Sequence, residues 1–174
     1  MNFSEYQEPV RQEYPSIKAN AINDVEVVSV ESFESTVKKT PGLKFKFKAV
    51  GQDLVAAPYT QQKDLWLSKA AENVAMEFLS KITNVCGVRD SLNVIGEETT
   101  KEEIATVLTK NLVGKQFRMG FAGREYLKDG VVKIAPEPTN LFEKIGESKL
   151  AAPTKIEKIV VPTVEADANN DMPF

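Results

Sequence analysis

Between Leu43 and Ala49 the residues alternate without exception: Leu43, Phe45, Phe47 and Ala49 are apolar, while Lys44, Lys46 and Lys48 are charged. Successive side chains of a strand point to opposite faces, so this stretch is a strand with one buried face and one wet face. Burial of Phe45 and Phe47 is what a small barrel needs, and the core is a better place for them than a base-stacking surface. Lys38 and Lys39 precede the strand, which brings five positive charges into eleven residues with no acid among them. Such a stripe attracts a polyanion. Lysines on an exposed strand also discourage edge-to-edge aggregation, so a solvated outer face is the competing reading.

The segments on either side extend this β pattern. Ile22 to Phe33 is β-branched and roughly alternating, with a Val27-Val28 doublet that predicts a bulge in a long first strand. The polar connection after it ends in Pro41-Gly42, and Leu54 to Tyr59 is expected as a third strand. From Ser68 the period changes to three and four: Ala71, Val74, Ala75, Phe78, Leu79, Ile82 and Val85 predict an amphipathic helix capped by Ser68 and stopped near Gly87. A second helix begins at the capping box Thr100-x-x-Glu103 and stops at Gly114.

Strands resume around Asp129-Gly130, whose residues tolerate the positive φ angles of a two-residue hairpin turn. That turn pairs Lys128 with Val131, Leu127 with Val132 and Tyr126 with Lys133. Alternation then predicts a core wall of Phe117, Met119, Phe121, Leu127, Val132 and Ile134. The opposite face carries Arg118, Arg124, Tyr126, Lys128 and Lys133: cations for phosphates and a ring for a base, the combination single-stranded nucleic acid requires. Tyr59 and Trp66 are further stacking candidates, although Trp66 also suits a core anchor just before the helix. Gly120 and Gly123 fall where a strand must bend to close a barrel.

Composition narrows the chemistry. The chain has no histidine and one cysteine, Cys86, which excludes an internal disulfide and removes the commonest general base and metal ligand. The acid pairs Glu97-Glu98 and Glu102-Glu103 lie where helix-start electrostatics accounts for them. A non-enzyme without metal or cofactor is expected. The formal charge is -3, yet the last twelve residues hold three acids and no base, so 22 basic and 22 acidic residues remain before them. No apolar stretch approaches membrane-spanning length, and Met1 to Tyr14 carries Glu5, Glu8 and Glu13 where a signal peptide needs a basic start. A cytoplasmic protein is expected.

The last ten residues, Glu165 to Phe174, contain no Lys or Arg and end in Asp171-Met172-Pro173-Phe174. A ring beside carboxylates is a compact ligand for a partner's apolar pocket rimmed by cations. This ending resembles the tail of bacterial and bacteriophage single-stranded DNA-binding proteins, an acidic stretch closed by Asp-x-Pro-Phe. The order of three strands, helices and a hairpin is similar to the OB-fold those proteins use. The resemblance implies a mainly β chain with a helical insertion: a five-stranded OB-fold barrel with two helices between strands three and four. It divides the chain into an arm (1–20), an OB-fold domain (21–147), a linker (148–164) and a protein-docking tail (165–174). It also implies binding of single-stranded DNA in replication, recombination or repair, in a bacterial host's cytoplasm if phage-encoded. Lys38, Lys39, Lys44, Lys46, Lys48, Tyr59, Trp66, Arg118, Arg124, Tyr126, Lys128 and Lys133 are the expected DNA contacts. Asp171, Met172, Pro173 and Phe174 are the expected contacts for replication or recombination proteins. Two helices in place of one, and a linker carrying Ile156, Ile159, Val160 and Val161, depart from the pattern and leave a homo-oligomer open. An OB-fold adaptor that binds no nucleic acid, and a strand-annealing or RNA-binding protein of the same fold, are the alternatives.

Overall fold

The computed structural model describes residues 15–53 and 59–160. The aromatics of the N-terminal arm, Phe3, Tyr6 and Tyr14, the segment 54–58 and the whole acidic tail, with Asp171, Met172, Pro173 and Phe174, lie outside them. The described chain is mainly antiparallel β. The strands β1 (Ala21–Glu34), β2 (Pro41–Ala49) and β3 (Gln61–Trp66) are followed by helices α1 (Glu72–Val85) and α2 (Lys101–Leu112), then by β4 (Gln116–Lys128) and β5 (Val131–Glu143). A two-residue strand, β6 (Ile156–Glu157), runs parallel to β4. The sheet order is β3-β2-β1-β4-β5, and among the described residues no ladder joins β3 to β5.

Strand β1 is central because it serves two neighbours in succession. It pairs with β4 through residues 21–26 and with β2 through residues 25–34. Its register with β2 shifts between Val27 and Ser29, so the Val27-Val28 doublet is the site of the expected bulge. The alternating strand is β2, with Leu43, Phe45, Phe47 and Ala49 buried. A third described strand lies at Gln61–Trp66, while the expected strand Leu54 to Tyr59 falls, apart from Tyr59, outside the described residues. Leu65 is its one buried residue, so pairing with β2 decides its position where its own composition does not.

Helix α2 has the complete capping box, with Thr100 Oγ1 accepting from Glu103 N and Glu103 Oε2 accepting from Thr100 N. The start of α1 differs from the expectation. Ser68 precedes a 3-10 turn, Lys69–Ala71, and its side chain makes no capping bond. Both helices bury most of an apolar stripe: Ala75, Phe78, Leu79 and Ile82 on α1, and Ile104, Leu108 and Leu112 on α2; Val74, expected in the α1 stripe, is instead 55% exposed.

The core is organised by a closed ring of phenylalanines. Phe47 stacks on Phe45, Phe45 meets Phe78 edge-on at 5.2 Å, and Phe78 meets Phe142 at 5.3 Å. Phe142 then meets Phe117 at 5.7 Å, and Phe117 returns to Phe47 at 6.2 Å. Phe45 and Phe47 are therefore core residues, and Phe78 of α1 connects β2 to β5 where backbone pairing does not.

The hairpin has the expected register, Lys128↔Val131, Leu127↔Val132 and Tyr126↔Lys133, and both Asp129 and Gly130 have positive φ. Its outer half corrects the expected core wall. Phe117, Met119 and Phe121 are fully buried, but Leu127, Val132 and Ile134 are about half exposed. The β4–β5 register breaks between Met119 and Phe121, where Thr139 donates to the Gly120 carbonyl at 2.6 Å. The break therefore falls at one of the two glycines expected to bend the strand.

Candidate nucleic-acid interface

Two places on the surface combine exposed rings with cations. The first is the outer face of β1, β2 and β3. The bulge in β1 resets the parity of the strand, so Val30 points inward and Phe33, three residues later, shares the face of the β2 lysines. Phe33 lies opposite Gly42, and Gly42 lies opposite Trp66. The two rings meet across the glycine at 5.0 Å, inclined by 63°. A Cβ on Gly42 would stand 2.6 Å from the Phe33 ring, so only glycine admits this approach. Lys44 Nζ lies 5.2 Å from the Phe33 ring centre, a cation over a π face. Trp66 remains 38% exposed, so it is not the buried anchor that its place before the helix allowed.

The remaining lysines of the stripe have partners. Lys46 bonds Glu31 at 3.3 Å and Lys48 faces Glu26 at 3.6 Å, both acids belonging to the adjacent β1. The Lys46 hydrogen bond holds the Glu31 carboxyl below the usual range of a glutamate. Asp64 lies opposite Lys44 in the β2–β3 register. Arg118 is engaged more fully: it bonds Glu143 at 2.7 Å and Asp24 at 3.3 Å, and also donates to the Glu147 carbonyl. The middle of this sheet face is thus balanced between cations and acids, and at its aromatic end Lys44, which has Glu31 and Asp64 opposite it in the two ladders, lies over the Phe33 ring.

The second place is the β4–β5 hairpin. Tyr126 is 41% exposed with Lys133 directly opposite it, and Arg124 and Lys128 are exposed on the same strand. Arg124 reaches Glu137 at 3.8 Å, but both side chains are largely in water, and an ion pair of this kind contributes little. Lys38 and Lys39 are exposed in the β1–β2 turn, which is closed by Ser35 N to Thr40 O at 2.9 Å and by Thr40 N to Ser35 Oγ at 2.9 Å. Tyr59 is 45% exposed, and its carbonyl accepts from the buried Gln52 side chain at 3.0 Å.

Of the residues expected from the sequence, Trp66 and Lys44 come together, as do Tyr126, Lys133, Arg124 and Lys128. Phe33 was not among them. Its signal was its odd spacing from Val30 after the Val27-Val28 doublet, which turns it to the lysine face. Among the described residues no three His, Cys, Asp or Glu side chains are grouped to hold a metal, and no helix is long and apolar enough to cross a membrane. Burial pushes the Cys86 thiol up to about 11, against a smaller pull from Lys115. Cys86 is therefore expected to resist iodoacetamide at pH 8 in the native protein and to react readily in denaturant. Its raised value favours the fold below the unfolded thiol's ordinary pKa, and that contribution fades as the pH climbs through about 11. No protein-family model and no curated protein matches the chain.

Proposed function

We propose that this chain binds single-stranded DNA with little regard to sequence and recruits partner proteins through its acidic Asp171-Met172-Pro173-Phe174 ending. The observation that carries the reading is the Phe33–Trp66 pair, an exposed indole packed on a half-buried phenyl ring beside Lys44 on an outer sheet face. A folding core has no use for an exposed indole there, whereas a splayed base stacks on it and its phosphate meets the lysine. The topology supports an OB-fold reading: β1 central between β2 and β4, helices between β3 and β4, and outer strands β3 and β5 whose residues approach within 8 Å between Cα atoms. No bond is made or broken in this activity, so it needs neither cofactor nor catalytic residue.

The test is titration with oligo-dT. Stacking one base is worth about 1–3 kcal/mol, so Trp66→Ala is expected to weaken binding about 5- to 150-fold. Trp66 is the only tryptophan, and quenching of its emission on adding oligo-dT reports the contact directly. If Lys38, Lys39, Lys128 and Lys133 each neutralise one phosphate, affinity falls by about 50-fold between 50 and 200 mM salt. Unquenched emission together with salt-independent binding would sink the reading. The half-exposed Leu127, Val132 and Ile134 favour a second reading, an adaptor that uses the same fold for protein contacts. Filter binding that retains no single-stranded DNA, or retains duplex better, selects it. Comparing ribose with deoxyribose oligomers, with a strand-annealing assay, separates the RNA-binding and annealing alternatives.

A further inference from the structure

Strand β1 begins at Ala21, opposite Phe121, so the edge of β4 beyond that point loses its neighbour. A strap from the C-terminal side takes its place. Ile156 pairs with Gly123 and Glu157 with Arg124, and Gly123 N donates to Lys155 O at 3.0 Å. The Asn20 side-chain amide donates to Pro153 O at 3.0 Å and to Lys155 O at 3.2 Å, and Ile159 N donates to Glu125 Oε2 at 3.1 Å. The fit is close: a Cβ on Gly123 would stand 2.6 Å from Asn20 Oδ1.

We propose that this strap, residues 153–159, is a releasable latch that opens when a polyanion occupies the basic side of the hairpin. It rests on the reading of that hairpin as a single-stranded DNA contact. Lys155, Ile156, Glu157 and Lys158 are all exposed, so a few hydrogen bonds hold the strap rather than buried surface, each worth about a two- to tenfold factor. Glu157 lies beside Arg124 in the ladder and Glu137 lies 3.8 Å from it, so an incoming phosphate meets two carboxylates. Opening the strap removes one of them. Phosphate binding and strap docking thus oppose each other, and by linkage loosening the strap strengthens phosphate binding by the same factor. From Val160 the chain runs directly into the acidic ending, so the latch joins hairpin occupancy to the root of the partner-docking segment.

The full chain is tested by limited trypsin digestion, with cleavage at Lys155 and Lys158 followed by mass spectrometry. Lys149, whose N–H is held by Glu143, serves as an internal control. Saturating oligo-dT is expected to speed cleavage at Lys155 and Lys158 about fivefold and leave Lys149 unchanged. Asn20 has φ 51°, which glycine adopts freely, so Asn20→Gly removes the amide while keeping the backbone. It is expected to speed the same cleavages about fivefold without DNA and to tighten oligo-dT binding severalfold. Oligo-dT that binds yet leaves Lys155 and Lys158 unchanged, or protects them, overturns the latch alone. An Asn20→Gly variant with unaltered cleavage and affinity does the same. Absence of any oligo-dT binding overturns the latch together with the function it rests on.

Discussion

Replacing Phe78 with alanine is expected to lower the unfolding free energy by about 3–5 kcal/mol, the range for truncating a fully buried phenylalanine. For a domain of this size that corresponds to a fall in Tm of roughly 10 °C. The residue is fully buried on α1, with one ring neighbour on β2 and another on β5. Because β3 and β5 share no ladder among the described residues, this side chain carries across the seam a connection that hydrogen bonds make elsewhere in the sheet. Phe78→Leu keeps most of the volume and is expected to cost less than half as much. Urea denaturation measures both variants. A loss below about 1 kcal/mol for Phe78→Ala would mean that the cavity collapses and that the ring of five phenylalanines is not cooperative.

The same ring bears on function by elimination. Phe45, Phe47, Phe78, Phe117 and, outside the ring, Phe121 are fully buried and Phe142 packs against the core, so none can stack on a base without unfolding it. Among the described residues this leaves Phe33, Tyr59, Trp66 and Tyr126 as rings within reach of a ligand. The lysine stripe of β2, the most conspicuous charge in the sequence, is a weaker feature than it looked. Two of its three cations have glutamate partners on β1, and the third lies over Phe33.

What was legible in the sequence was local. The alternation from Leu43 to Ala49, the Thr100–Glu103 capping box, the Val27-Val28 bulge and the Asp129-Gly130 turn each depend on neighbours a few residues apart, and each appears where its pattern put it. Alternation told which hairpin residues share a face, but not whether anything packs over that face, so Leu127, Val132 and Ile134 were expected inside. Gln61-Gln62-Lys63-Asp64 has little strand character of its own and is held as a strand by pairing with β2. The glutamates that partner the β2 lysines could not be read without the β1–β2 register. The strap on β4 depends on Asn20, more than a hundred residues away in sequence, and no periodicity reports such a pairing.

Arg118 was expected among the DNA contacts, and its surroundings argue for a different weight. Its guanidinium bonds Glu143, whose side chain is only 4% exposed, while Glu143 Oε2 accepts from the backbone of Lys149 at 2.9 Å and of Leu150 at 3.3 Å. The pair therefore fastens the turn after β5 to β4. Removing one partner of a buried pair strands the other charge, which costs several kcal/mol in comparable sites. Arg118 is 23% exposed and Glu143 keeps two N–H donors, so the lower end applies, and Arg118→Ala is expected to destabilise the fold by about 3 kcal/mol. Glu143→Gln keeps the hydrogen-bonding shape and is expected to cost about 1 kcal/mol, and the double variant less than the sum. A phosphate-binding arginine behaves otherwise. Its loss leaves the unfolding free energy from urea denaturation within about 0.5 kcal/mol of the parent and reduces the salt dependence of oligo-dT binding by about 0.7 in the logarithmic slope. Measuring both quantities on the same variant assigns Arg118 to the fold or to the ligand, because ion pairing with Glu143 and contact with phosphate draw on the same five donors.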